Sequence, residues 1–134
     1  MDREVTERKL EALRHCLARV RARKPADAAA LAMDEDAQDV LVLNLSRAVQ
    51  LCVDIAAHCL AGSNLPVPAT MGEAFSSLAV GGTIDAELAG RLRRAVGFRN
   101  IAVHNYEAID WDIVFTLAGE PLADFEAFAV AVSA

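Results

Sequence analysis

The feature that most constrains the fold is a long segment near the middle of the chain, from near Asp34 to Leu60, in which apolar residues recur at helical spacing on two sides. One stripe comprises Val40, Leu43, Leu51, Ile55 and Cys59, and the other comprises Leu41, Leu45, Ala48, Cys52 and Ala56. A helix with apolar residues on two sides must be covered by neighbours on both. The sequence therefore predicts a bundle with this segment as its central helix, ending near Gly62.

Helical spacing continues on both sides of the central segment. Leu10, Leu13, Leu17 and Val20 predict a first helix from about Asp2 to Arg23, which Lys24-Pro25 would end. The alanine-rich segment 26–33 is ambiguous. No segment alternates with period two for long enough to predict a strand.

Two capping patterns mark the helices that follow. Thr70 and Glu73 match a capping box, which predicts a short helix that ends at Gly81-Gly82. Thr83 is predicted to cap the next helix, which keeps its spacing up to Gly97-Phe98. The carboxyl-terminal part predicts two short helices, or one helix broken at Gly119.

Length and composition agree with this pattern. A chain of 134 residues has the size of one domain, and 54% apolar residues exclude disorder. We therefore expect residues 1–134 to form a single all-α domain, an up-and-down bundle of about four to six helices.

Composition also limits the location and partners of the protein. No continuous apolar run reaches the roughly 18 residues of a membrane span, and Met1-Asp2-Arg3-Glu4 lacks the apolar core of a signal peptide, so we expect a cytoplasmic protein without a membrane partner. The net charge of −6 argues against binding nucleic acid through the overall field, so any such site must be local. The cysteines, 3 in number, lie at apolar-periodic positions and are interpreted as buried thiols.

The strongest candidate site is the segment Arg99-Asn100-Ile101-Ala102-Val103-His104-Asn105-Tyr106. Arg99 offers a permanent charge whose donors fit a phosphate, and His104 can take and return a proton near neutral pH. Asn100 can orient a hydroxyl group. Without a metal or another cofactor, this set could cleave RNA through the ribose 2′-hydroxyl, with Arg99 stabilising the extra charge on phosphorus.

Helical geometry complicates that interpretation. On a continuous helix Arg99 and His104 project about 140° apart, whereas Arg99 and Tyr106 lie within about 20° of each other. Three arrangements could bring the catalytic groups together: a bend near Gly97, an end of the helix before His104, or a site shared by two copies in a symmetric dimer. We favour the dimer.

Other polar groups are weaker candidates. Asn44 with Arg47, and Asp54 with His58, are spaced to pair on the central helix. Asp54 and His58 lack a third ligand at suitable spacing, so we expect no metal site there but a structural pair or a polar wall facing His104.

The spacing of Arg99, His104 and Tyr106 closely resembles the signature of HEPN-domain toxins of the HepT type: arginine, four residues, histidine, one residue, tyrosine. Supporting similarities lie in Gln50, Asp54, Ile55, Ala56, His58, Glu73, Ala74, Phe75, Leu78, Leu88, Leu92 and Ile109-Asp110. The resemblance implies a dimeric helical bundle that acts as a metal-independent ribonuclease. It also implies that Arg99 and His104 are the catalytic pair, assisted by Asn100.

The same resemblance implies a partner for the chain. Toxins of this type are neutralised by a minimal nucleotidyltransferase antitoxin, of the MNT type, that transfers AMP from ATP to the motif tyrosine, here Tyr106. Two alternatives stay open at this point. The chain could be a non-catalytic helical partner that holds nucleotide or substrate for a nucleotidyltransferase, or the cluster could be a buried interface network.

Overall fold

The computed structural model describes residues 2–134, which form seven α-helices and one 3-10 helix. The helices are α1 (Arg3–Arg23), α2 (Ala28–Ala32), α3 (Glu35–Leu60), α4 (Met71–Val80), α5 (Ala86–His104), the 3-10 helix (Tyr106–Ala108), α6 (Trp111–Leu117) and α7 (Leu122–Ser133). Residues 2–134 contain no strand, so the prediction of an all-α fold is confirmed. The number of helices exceeds the four to six expected, chiefly because the ambiguous segment 26–33 contains α2, capped by Asp27.

Helix α3 is the central element, as predicted, but only one of its two apolar stripes is fully covered. In the other stripe Leu43 is 55% exposed, and Val40, Leu51 and Cys59 are only partly buried. Helix α3 packs against α1, α4, α5 and α7, and Leu41, Ala48, Cys52, Ile55 and Ala56 along it are fully buried. By length and composition alone α3 could cross a membrane, since an 18-residue window of it has a mean hydropathy of 1.6. Because 56% of that window is buried inside the protein, the position of α3 in the core accounts for its hydropathy.

The long helices pack in alternating directions. The Asp2 amide at the start of α1 donates to His58 Nε2 near the end of α3, at 3.1 Å. Tyr106, just after α5, donates to Asp39 near the start of α3, so α5 also runs antiparallel to α3. The up-and-down arrangement is therefore confirmed, and it brings the end of α5 beside the first turns of α3.

The caps show why these helices begin where they do. Asp34 accepts a hydrogen bond from the Ala37 amide at 3.0 Å, as expected for the start of the central helix. Thr70 caps α4 as predicted by accepting from the Glu73 amide at 3.3 Å. The Glu73 carboxylate accepts from the amide of Ala69, at 2.7 Å, so the reciprocal half of the capping box is shifted by one residue.

The cap of α5 differs from the prediction. Asp85, and not Thr83, accepts from the Leu88 amide at 2.7 Å, because the backbone leaves its extended conformation only after Asp85. The helix then continues without interruption through Gly97-Phe98, up to which its apolar spacing could be followed in the sequence, and stops at His104. Phe98 and Ala102 are buried beyond Gly97, and this packing extends the helix.

Candidate active site

The candidate site is built on the last two turns of α5 and the turn that follows. The helix is uninterrupted from Ala86 to His104, and its last backbone bond runs from the Asn105 amide to the Ile101 carbonyl oxygen at 2.8 Å. Asn105 itself has non-helical dihedrals (φ −150°, ψ 65°) and ends the helix. Tyr106 therefore belongs to the 3-10 turn and not to α5.

Arg99 is half-buried between α5 and α4. Its Nη1 atom lies 3.7 Å from Met71 Sδ and 3.4 Å from Asn100 Oδ1, two weak contacts that hold the guanidinium without neutralising it. Within residues 2–134 no carboxylate forms an ion pair with Arg99. Other arginines also lack an ion pair, but they are exposed, whereas Arg99 is partly buried: Arg3, Arg19, Arg23, Arg47, Arg93 and Arg94. Arg99 thus keeps an uncompensated positive charge beside solvent.

His104 and Asn100 are exposed on the final turns of the helix. Nothing in the described part of the chain, residues 2–134, hydrogen-bonds to the His104 ring. Asn100 Oδ1 accepts from Arg99 Nη1 at 3.4 Å. Both side chains are accessible to a ligand or to a second protein chain.

Tyr106 is partly exposed, and its ring and hydroxyl are both held. The hydroxyl donates to Asp39 Oδ1 at 3.2 Å, and the ring meets Trp111 edge-on with centroids 6.1 Å apart. Partial burial, the Asp39 hydrogen bond, the Asp39 charge and the more distant Glu35 charge, in that order, raise the pKa of Tyr106 above its usual value. The phenol therefore keeps its proton at neutral pH.

The structure answers the question of helix geometry that the sequence left open. Helix α5 runs continuously through Gly97 and includes His104, so Arg99 and His104 stay about 140° apart within one chain. The expectation that Arg99 and Tyr106 share a helical face is wrong, because that face ends with the helix at Asn105. Arg99 contacts α4 whereas Tyr106 contacts α3.

The predicted polar pairs on α3 do not form. Asn44 is buried and donates to the Val40 carbonyl oxygen at 2.8 Å, as an amide next to a helical carbonyl can, so it is not paired with Arg47. Asp54 accepts from Gln50 at 2.8 Å and lies 3.6 Å from Lys9 Nζ. These partners draw Asp54 away from His58, which accepts from the Asp2 amide at the far end of α3 from Tyr106.

Among residues 2–134 there is no group of three or more histidine, cysteine or acidic side chains placed to hold a metal ion. Cys16 and Cys52 are buried, as the periodicity predicted, and Cys59 is partly buried. Burial raises the thiol pKa of Cys52 strongly, so this side chain packs as an apolar group.

Sequence reasoning missed Asp39 as part of this region. It lies 67 positions before Tyr106, and no local pattern links the two residues. The available signal was weak: Asp39 is one more acidic residue just beyond the first turn of the central helix, which already contains Glu35 and Asp36.

Comparison with known proteins adds to the geometry. The fold and the candidate site together define a class of domain. It is a small helical bundle that carries arginine and histidine near the end of one helix and a tyrosine just beyond that helix. The family model described as "Ribonuclease HepT-like" matches residues 11–132, and the chain belongs to this family.

Individual relatives match over almost their full length. The mRNA nuclease HepT of Shewanella oneidensis is 33% identical over 126 residues, which is 94% of each chain. A solved toxin-antitoxin complex with AMP-PNP contains a chain with a TM-score of 0.91 and 31% identity, covering 97% of this chain and 98% of that one. A tri-AMPylated Shewanella oneidensis HEPN toxin in complex with MNT antitoxin has a TM-score of 0.90 and 32% identity, covering 99% and 98%.

Proposed function

We propose that the protein is the RNA-cleaving toxin of a two-component module, silenced when an MNT-type nucleotidyltransferase antitoxin transfers AMP to Tyr106. The observation that carries the proposal is the Arg99 guanidinium, half-buried without a carboxylate partner in residues 2–134 and close in sequence to the exposed His104. The relatives support it: one is an mRNA nuclease, and another is a toxin that is AMPylated and bound to an MNT antitoxin.

The cleavage step follows from the chemistry of these side chains. His104 takes the proton of a ribose 2′-hydroxyl, whose oxygen attacks the adjacent phosphorus. A 2′,3′-cyclic phosphate forms, the bond to the 5′-oxygen breaks, and that oxygen receives a proton. Arg99 stabilises the charge that builds up on the phosphoryl oxygens, and Asn100 helps to orient the phosphate. DNA lacks the 2′-hydroxyl and is not a substrate for this route.

One chain alone does not aim both groups at one phosphorus, so the proposal includes a homodimer in which two copies line one cleft. Ile101 and Val103, on the same turns as His104, are 46% and 51% exposed, although they are large apolar side chains. Covering them with a second copy would remove this apolar surface from water and bring a second α5 to the cleft.

The proposed antitoxin acts on Tyr106, the other end of the cluster. Transfer of AMP converts the phenol into a phosphodiester that carries about one negative charge and a nucleoside. Beside the cleft, the AMP group would compete with RNA for the Arg99 guanidinium and would occupy space that the RNA needs. Both proteins would meet in the cytoplasm, where mRNA and ATP are available.

The test is RNA cleavage by purified protein in a chelator such as EDTA. We expect products that end in cyclic phosphate, and a loss of about 100-fold or more in rate for His104→Ala and Arg99→Ala. His15→Ala and Arg94→Ala are matched controls, since both residues are exposed and lie outside the motif. If wild type and His104→Ala are equally inactive, the protein is a non-catalytic partner of a nucleotidyltransferase and the proposal is wrong.

A further inference from the structure

Asp39 is the only residue in the described part of the chain, residues 2–134, that hydrogen-bonds to the Tyr106 hydroxyl. The hydroxyl donates to Asp39 Oδ1 at 3.2 Å, which is within the range of roughly 2.6–3.2 Å over which a base can take a proton directly. The carboxylate comes from the second turn of α3 and is exposed. The pair is therefore open to an enzyme that approaches from solvent.

The backbone turn and the Trp111 ring also hold Tyr106 in place. The 3-10 turn is fixed by hydrogen bonds from the Ala108 amide to Asn105 at 2.9 Å and from the Ile109 amide to Tyr106 at 3.1 Å. Trp111 supports the ring edge-on at a centroid distance of 6.1 Å. The 3-10 turn, the Trp111 ring and the Asp39 carboxylate together orient the Tyr106 hydroxyl. The hydroxyl is therefore preorganised before a nucleotide binds.

A phenol held in this way is a poor nucleophile. Burial, the Asp39 hydrogen bond and the Asp39 and Glu35 charges raise the pKa of Tyr106 above its usual value of 10.0, so fewer than about one molecule in 1,000 carries a phenolate at pH 7. Some group must take the proton while the oxygen attacks. As the oxygen bonds to phosphorus it becomes far more acidic, so a carboxylate suffices as the acceptor at that moment.

We propose that Asp39 is the general base for AMP transfer to Tyr106, so that the toxin itself supplies a catalytic group for its own silencing. The proposal rests on the modification of Tyr106 put forward above. In the step, Tyr106 Oη forms a bond to the α-phosphorus of ATP, and the bond from that phosphorus to the β-phosphate bridging oxygen breaks. Pyrophosphate leaves, and the phenolic proton passes to Asp39 and then to water.

Asp39→Asn tests this directly, because the amide can still accept the tyrosine hydrogen bond but cannot take up its proton. Asp36→Asn is the matched control: it removes the same charge one turn earlier in α3 and leaves Asp39 in place. The measurement is the rate of the first AMP addition, by intact mass, with the purified nucleotidyltransferase, ATP and Mg²⁺. We expect Asp39→Asn to lower kcat by about 100-fold or more with little change in KM for the toxin, and Asp36→Asn to stay within about twofold.

If Asp39 acted only through its charge, Asp39→Asn would change the rate of AMP transfer in the opposite direction. Removing its charge would lower the pKa of Tyr106, give more phenolate and speed the transfer. An Asp39→Asn rate equal to or above that of wild type therefore overturns the proposal and leaves the base to the nucleotidyltransferase.

The pH dependence gives a second readout. Without a base, the Asp39→Asn rate should rise by about tenfold per pH unit between pH 7 and 9, as the phenol ionises unaided, whereas the wild-type rate should rise much less. Parallel profiles in the two proteins would contradict the proposal even if the variant is slow.

Failure of this inference can be told apart from failure of the proposed function. If the wild-type protein gains no AMP mass at all, the proposed function is wrong and this inference is wrong with it. If wild type and Asp39→Asn are modified at the same rate, only the role of Asp39 is wrong.

Discussion

The proposal that two copies of the chain share one catalytic cleft can be tested by mixing the Arg99→Ala and His104→Ala proteins, each of which should be inactive alone. Arg99 and His104 are five positions apart on an unbroken helix, which separates them by about 7.5 Å along its axis and about 140° around it. If the cleft takes these groups from both copies, a heterodimer of Arg99→Ala and His104→Ala still contains one arginine and one histidine, in different chains. Each homodimer lacks one of the two residue types completely.

The fraction of RNA-cleaving activity that should be regained follows from how subunits redistribute between dimers. In an equimolar mixture at equilibrium, about half of the dimers are heterodimers, so the mixture should regain between about a quarter and a half of wild-type specific activity, depending on how far one copy of each group suffices. Each variant alone should stay below about 1%. The assay is cleavage of a labelled RNA after co-refolding or overnight exchange, with native mass spectrometry to confirm that heterodimers have formed.

Recovery near zero, with heterodimers verified, would mean that both groups act within one chain and would refute the reasoning from helix geometry. A further control mixes Arg99→Ala with an Arg99→Ala protein that also carries His104→Ala. This mixture contains no Arg99 and should stay inactive at any degree of exchange.

Three further predictions concern stability and reactivity. Asp85→Ala should lower the free energy of unfolding by about 1 kcal/mol in urea titrations, since Asp85 caps α5, whereas Thr83→Ala should change it by less than about 0.5 kcal/mol. Phe128→Ala should cost about 3–5 kcal/mol, because this ring is fully buried and meets Phe75 edge-on at 5.7 Å. Cys52, whose thiol pKa is strongly raised by burial, should react with a thiol reagent at pH 8 only at the rate of unfolding.

The helices could be predicted from the sequence because their signals are local. The apolar stripes of α3 repeat over many turns, and Asp34 and Thr70 stand directly before the segments they cap. The choice between Thr83 and Asp85 could not be made in this way, since both residue types cap helices and the deciding dihedrals depend on how α5 packs.

The motif residues could be identified from spacing and resemblance, but their surroundings could not. Met71 lies 28 positions before Arg99 and Asp39 lies 67 before Tyr106, so each contact depends on the antiparallel packing of α5 against α4 and α3. Asp54 pairs with Gln50, four positions earlier on α3, and with Lys9 of α1, so the expected pair with His58 does not form. Sequence spacing gives the geometry within one helix and is silent about the helix beside it.

The end of α5 at Asn105 is what gives the three motif side chains different surroundings. Had the helix continued, Tyr106 would lie above Arg99, and its modification would act on the guanidinium of the same chain. Instead Arg99 contacts α4, His104 faces solvent, and Tyr106 turns toward Asp39 on α3. In the proposed mechanism, cleavage would therefore need a second copy to bring the groups together. The tyrosine and its carboxylate lie together within one chain, so the proposed modification should proceed on either subunit independently of the other.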